Sequence, residues 1–399
     1  MRIGRTLPPA ASPIGWINFA FGVAGLAKGN RSRDEFAADL CLHFNQRHCF
    51  PVSSGKAALT LILKALHRRY PDRDEVLIPA YTCYSVPSAI ARAGLKVRLC
   101  DIAANSLDVD LNLLAQQLEN KKLLCVIPTH LFGLPADITA LRSLINDPEV
   151  TIVEDAAQAM GGEYQNQKLG TLGDVGFFSL GRGKALSTVE GGVIITNDDE
   201  LAALIRSEYE TLPEYKLTEK IKLTLYAIAL NLLMHPWLFW LPKSLPFLKL
   251  GETIYDTSFT IKKLTPFQAG VGRHWRNTIA SSQQVRSMHV GNWQSIATGS
   301  FTARADGSPQ PLIRFPLLLD SPEQAASMLR QSEDAGLGVA PAYPDAIHRI
   351  AQIADQFDGE AYPNAVSVAG RLVTLPVHQY LTNRDLTRIA DLYRKIALS

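Results

Sequence analysis

The chain has 399 residues, 47% apolar and 20% charged, with a formal net charge of +2. That length buries one large or two moderate cores, and the balanced charge gives no support to nucleic-acid or acidic-polymer binding. Five cysteines (Cys41, Cys49, Cys83, Cys100, Cys125) without a C-x-x-C pair argue against a metal site or disulfide framework and for a reducing, cytoplasmic setting.

An apolar run over residues 14–27 follows Arg2 and Arg5 and superficially resembles a secretory signal. Pro8, Pro9 and Pro13 before it and Asn18 within it favour a cytosolic enzyme instead. Residues 33–44 have helical spacing, with Phe36, Leu40 and Phe44 on one face. A short apolar run at 49–52 leads into Ser53-Ser54-Gly55-Lys56 and then a helical stretch over 57–70. A strand, a small-residue turn and a helix amino terminus make an anion site, because backbone N–H groups and the helix dipole converge there. A plain strand-to-helix turn is the alternative.

Further strands are predicted at 75–79, 96–100, 123–128, 150–153, 175–179 and 192–196, with helices between most of them. This alternation predicts an α/β fold whose large domain has a mostly parallel sheet covered by helices on both faces. Ligands in such sheets sit outside the strands' carboxyl ends, where Ser54, Tyr84, Asp155 and Ser179 all fall.

The segment 223–241 carries only Thr224, Asn231 and His235 as clearly polar residues. Three readings of it stay open: a helical insert buried or covered by a dimer partner, peripheral membrane contact through 223–248, and a true span. From residue 265 the pattern changes to a smaller α+β unit. The expected domains are 1–257, with an apolar insert at about 211–250, and 258–399.

The strongest chemical signal lies in 152–192. An apolar strand ends on Glu154 and Asp155, and a glycine-rich passage leads to Lys184 between Gly183 and Ser187. A carboxylate at a strand end and a later lysine in small-residue company suit a Schiff base to pyridoxal 5′-phosphate, with an acidic partner for the pyridinium nitrogen. A helix-capping aspartate and a surface lysine are the alternatives.

The motifs V-E-D-A-A-Q-A, G-D-V-G-F-F-S-L, G-K and E-G-G-V-I-I-T-N-D-D-E-L-A, with Y-P-N-A and L-P-V-H further on, occur in this order. In them the chain resembles the DegT/DnrJ/EryC/StrS sugar aminotransferases, within the fold-type I pyridoxal-phosphate enzymes. The resemblance implies a large domain, a smaller α+β C-terminal domain and a homodimer with shared active sites. It implies that Lys184 forms the Schiff base and moves protons, and that Asp155 pairs with the pyridine nitrogen. Gln158 would contact the phenolic oxygen, and Ser54, Gly55, Lys56 and Ser179 the phosphate. Four places depart from the pattern. Lys56 replaces a threonine. Cys83 stands where an aromatic usually stacks on the ring, so that Tyr84 or Tyr81 would substitute. Ile261-Lys262-Lys263 replaces N-x-R, leaving Lys263 to reach the partner subunit's phosphate with charge but without arginine's fork. Ala342 takes the place of a common histidine before Tyr343-Pro344.

The implied activity is a pyridoxal-phosphate-dependent aminotransferase that moves an amino group from glutamate to a keto-sugar on a nucleotide or lipid carrier. Its place would be cell-surface polysaccharide or secondary-metabolite biosynthesis. A different reaction on the same fold, a non-sugar substrate and a catalytically silent sensor or scaffold are the alternatives. Retention of Lys184 argues against the dehydratase branch, where histidine replaces it.

Overall fold

The computed structural model describes residues 3–245, 253–297, 301 and 310–397. Seven strands form the main sheet: β1 (His48–Val52), β2 (Glu75–Pro79), β3 (Lys96–Cys100), β4 (Leu123–Val126), β5 (Thr151–Asp155), β6 (Val175–Ser179) and β7 (Gly192–Thr196). Their spatial order is β1-β7-β6-β5-β4-β2-β3. The four pairings from β6 through β3 are parallel, and β7 alone runs against both of its neighbours. Val76, Ile78, Leu124, Val153 and Ile194 are all buried, as expected for a sheet covered on both faces. A sheet of this topology brings the carboxyl ends of β5 and β6 side by side, and the site forms there.

Helix α1 (Trp16–Lys28) absorbs most of the apolar run that resembled a signal. It packs lengthwise against the helix Pro266–Val271, with Phe19 edge-on to Phe267 at 5.8 Å. Helix α2 (Asn30–Phe44) and helix α3 (Gly55–Arg69) follow. Ten residues of α3 are buried, and its amino terminus is capped by the Ser54 hydroxyl accepting from the Ala57 N–H at 3.1 Å.

The insert forms an amphipathic helix, Leu217–Leu233, which ends before Pro236. No helix among the described residues is long and apolar enough to cross a membrane. Leu223 and Ala227 of this helix are buried, whereas Leu217, Ile221 and Leu225 are exposed. Residues 246–252 of the insert lie outside the described residues, as do 298–300 and 302–309 of the loop expected over 299–311.

A second, antiparallel sheet of three strands is built from Phe315–Leu318, Leu372–Leu375 and Ala340–Pro341. The helix Trp275–Ile296 joins the two units. Its Trp275 and Ile279 sit in the core of the large sheet, and its Val290 and Trp293 in the core of the small one. Leu7, from the amino-terminal segment, also belongs to the second core.

One buried histidine gives this packing a pH dependence. The His378 Nε2–H donates to the Pro8 carbonyl at 2.8 Å, and burial pushes its pKa down to about 4. The folded chain therefore binds fewer protons than the unfolded one between that value and the ordinary histidine value, so stability falls on acidification. A loss of up to about 1.4 kcal/mol per pH unit from His378 is expected between about pH 6.5 and 4. Urea unfolding at pH 7 and pH 5 measures it, and His378→Asn should flatten the slope. An unchanged slope in that variant would remove His378 as the cause.

Candidate active site

A cleft of about 780 Å³ opens at the carboxyl ends of β5 and β6, against the amino terminus of α3. Ser54, Gly55, Lys56, Asp155, Gln158, Ser179 and Lys184 all line it. Residues separated by 130 positions of sequence thus share one wall.

Alternation along β5 gives its two carboxylates different tasks. Glu154 is fully buried and turned away from the cleft. It accepts from His130 Nε2 at 2.6 Å and from the Leu172 and Gly173 N–H groups at 2.7 and 2.8 Å. Burial pushes its pKa up, but these hydrogen bonds hold it below the ordinary carboxylate value. Glu154 therefore ties the 170–173 loop beneath the sheet. Asp155 faces the cleft, with one oxygen accepting from the Ala157 N–H at 3.0 Å. Its pKa is raised by burial, opposed by that N–H and by the Lys184 ammonium.

Lys184 is half-buried, and its Nζ has no hydrogen-bond partner among the described residues. Lys184 and the buried Asp155 carboxylate both line this cleft, and among the described residues no charged group bonds either of them. The anion cradle fits as well. Gly55 lies so close to Ser179 that a Cβ on it would meet the Ser179 Cβ at 3.0 Å. A Cβ on Gly192 would meet the Ser54 carbonyl at 2.2 Å, so only glycine lets β7 approach the turn before α3. The first-turn N–H groups of a helix lack partners within it and carry the positive end of its dipole. At the Gly55–Lys56 turn they border the cleft beside the Ser179 hydroxyl.

Gln158 is held from both ends. Its Oε1 accepts from the Phe132 N–H at 3.2 Å, and its Nε2 donates to the Tyr343 hydroxyl at 2.8 Å. Phe132 adopts φ 59° and Val189, on the cleft wall, φ 79°. Both are strained conformations for residues of this kind, and the second is braced by the Glu190 carbonyl accepting from Thr188 Oγ1 and Gln268 Nε2.

Two expected site residues stand elsewhere. Tyr84 does not line the cleft; it is the residue before the helix Ser85–Arg92, with helical φ −59° and ψ −14°, and its ring is buried in the core. Cys83 occupies the cleft wall in its place. The Lys263 Nζ donates to the Glu210 carbonyl at 3.1 Å and lies over the Tyr209 ring, outside its own chain's cleft. Lys56 is in the cleft, but its ammonium turns to Asp256 at 3.3 Å and to the face of Phe259. The sequence reading did not anticipate that the insert would help to build the wall. Glu219, Lys222, Leu223 and Tyr226 of the Leu217–Leu233 helix line the cleft, and Arg182 lies against the Tyr226 ring. The low polar content of 223–241 left a buried insert as one reading, but nothing in the sequence said what it would cover.

The sheet order and the cleft at its carboxyl ends have the architecture of a fold-type I pyridoxal-phosphate transferase. More narrowly, the chain belongs to the DegT/DnrJ/EryC1/StrS aminotransferase family, whose profile matches residues 24–215 and 262–394. The unmatched gap coincides with the insert. GDP-perosamine synthase of Vibrio cholerae is 31% identical over 166 residues, 42% of this chain and 44% of that protein. The present chain thus aligns with less than half the length of that curated relative. The erythromycin biosynthesis sensory transduction protein EryC1 of Saccharopolyspora erythraea is 25% identical over 363 residues, 88% of this chain and 86% of that one. Among solved structures, the sugar aminotransferase CalS13 from Micromonospora echinospora superposes with a TM-score of 0.77 at 21% identity, covering 98% of this chain and 99% of that one. That likeness shows the shared fold.

Proposed function

We propose that this chain transfers an amino group from glutamate to the keto carbon of a sugar held on a nucleotide or lipid carrier. The observation that carries the proposal is that Lys184 and Asp155 line one cleft beside an anion cradle, in a chain of this aminotransferase family. Bound pyridoxal phosphate supplies the electron sink that makes the donor's α-proton removable. The protein supplies the rest. The Gly55 and Lys56 N–H groups and the Ser179 hydroxyl would hold the phosphate at the start of α3. Asp155 would keep a proton on the pyridine nitrogen, and Gln158, fixed by Phe132 and Tyr343, would contact the ring's oxygen. Lys184 Nζ takes the proton from the donor's α-carbon and later returns one to the carbon of the keto acceptor that becomes the amine. Glutamate leaves as 2-oxoglutarate.

The assembly we propose is a homodimer, with Lys263 reaching across to the phosphate held by the other subunit. Its position on the surface beside Tyr209 supports this. The large unit of residues 1–257 and the smaller one of 258–399 would share the helix Trp275–Ile296 as their spine. A cell-surface polysaccharide or secondary metabolite is the destination such an amino sugar serves. The exposed Leu217, Ile221 and Leu225, on the same helix that lines the cleft, support a lipid-linked carrier and peripheral membrane contact.

The test supplies holoenzyme with glutamate and a panel of keto-sugars, some linked to nucleotides and some to a lipid diphosphate in micelles, and measures 2-oxoglutarate. Release that depends on a keto-sugar is expected, with the preferred carrier read from kcat/KM. No release with any keto-sugar would defeat the sugar reading.

A further inference from the structure

We infer that Arg286 and Ser12 are positioning residues for Lys184, fixing the main chain from which its side chain enters the cleft; this rests on Lys184 being the cofactor-binding lysine. Ser12 Oγ donates to the Lys184 carbonyl. Arg286 Nη2 donates to Ser12 Oγ at 3.1 Å and to the same carbonyl at 3.4 Å. The three residues come from the amino-terminal segment, the loop after β6 and the helix that joins the two units, 102 and 274 positions apart.

The surroundings of Arg286 are unusual for a structural arginine. It is 3% exposed, makes no ion pair among the described residues, and its Nη1 is buried without a hydrogen-bond partner. The nearby His289 Nδ1 is also unpartnered. An uncompensated buried cation opposes folding, and an apolar side chain of similar volume is commonly as stable or more so. Stability therefore does not account for an arginine here. Its one set of contacts ends on the Lys184 main chain.

That main chain needs an outside restraint. Lys184 follows Gly183, whose φ is 71°, and its own N–H makes only a 3.3 Å bond to the Gly181 carbonyl. The amino-terminal segment covers this turn closely, since a Cβ on Gly183 would meet the Ala10 Cβ at 3.3 Å. The segment is itself tied to the smaller unit. The Leu7 N–H donates to the Gly336 carbonyl at 3.0 Å, and His378 donates to the Pro8 carbonyl. Ser12 and Arg286 thus transmit the position of the smaller unit to the lysine, and neither touches the cleft.

The experiment compares holoenzyme carrying Arg286→Met, Arg286→Lys or Ser12→Ala with the unchanged protein. Three quantities are read: the pH midpoint of the bound cofactor's visible absorbance, kcat and KM, and the unfolding temperature. Arg286→Met is expected to unfold at the same or a higher temperature. Its kcat should fall about tenfold with KM changed by less than about twofold, and the absorbance midpoint should move by about half a pH unit or more. Arg286→Lys should recover part of both effects, and Ser12→Ala should move the midpoint the same way by less. An Arg286→Met enzyme with unmoved midpoint and kcat would overturn the inference. So would a loss of kcat matched by an equal loss of folded protein. If Lys184→Ala also keeps the visible absorbance, the cofactor reading fails; if only the Arg286 variant is unmoved, this inference alone fails.

Discussion

Replacing Lys184 by alanine is expected to abolish the visible absorbance that the protein gains with pyridoxal phosphate, and to lower kcat by at least about 10⁴-fold. That factor corresponds to about 5.4 kcal/mol of barrier. The size follows from two losses at once. The nucleophile that holds the cofactor is removed, and so is the base that moves the proton, which alone contributes about 10²- to 10⁴-fold. No other lysine can take over cheaply. Lys56, also in the cleft, has its ammonium held by Asp256 and Phe259, and Lys222 projects from the insert helix at the rim. The fold should barely notice the change, because Lys184 Nζ makes no hydrogen bond among the described residues. An unfolding temperature close to that of the unchanged protein is therefore the control. A Lys184→Ala enzyme that keeps its absorbance, or turns over within about tenfold of the unchanged rate, would sink the assignment.

Much of this site was legible because its chemistry lies close together in sequence. Asp155, Gln158, Ser179 and Lys184 fall within one passage, and the strands that carry them are continuous apolar runs. The resemblance already singled out Asp155 over Glu154, and the two-residue period of β5 gives the physical reason: it puts one beneath the sheet and the other in the cleft. Tyr84 stands away from the cleft for a similarly local reason. Cys83 keeps the cleft-facing position, and the chain turns helical at Tyr84, which swings the next side chain into the core. The run over 14–27 looked like a signal because α1 buries its faces unevenly. Its exposed Trp16 and Ile17 have no local polar counterpart, while Phe19 packs on Phe267, about 250 residues away. Contacts of that range leave no periodic trace. The grip of Ser12 and Arg286 on the Lys184 carbonyl, and the cleft-lining face of the insert, belong to the same class and could only be seen in three dimensions.

Asp155→Asn should separate catalysis from stability in the opposite direction to an ordinary core substitution. Asparagine keeps the shape of the side chain and can keep the contact with the Ala157 N–H, but it cannot hold a proton on the pyridine nitrogen by charge. A fall in kcat of about 10²- to 10³-fold is expected, about 3 to 4 kcal/mol, with the visible absorbance retained because Lys184 is intact. The stability of the apoprotein should move the other way. Burial raises the folded pKa of Asp155, so the folded chain binds more protons than the unfolded one above the unfolded value. The carboxyl's contribution is then fully present below the unfolded pKa and is lost as the pH rises through the folded one. Once the pH lies above the unfolded value, the buried carboxyl thus opposes folding, and the neutral amide should leave the apoprotein as stable or more so at neutral pH, as judged by its unfolding temperature. Binding of the cofactor reverses the balance, since a protonated pyridine nitrogen is the partner that a buried carboxylate lacks. Holoprotein carrying Asp155→Asn should accordingly gain less in unfolding temperature from pyridoxal phosphate than the unchanged protein does. Equal gains, with kcat within about threefold, would mean that Asp155 does not face the ring nitrogen.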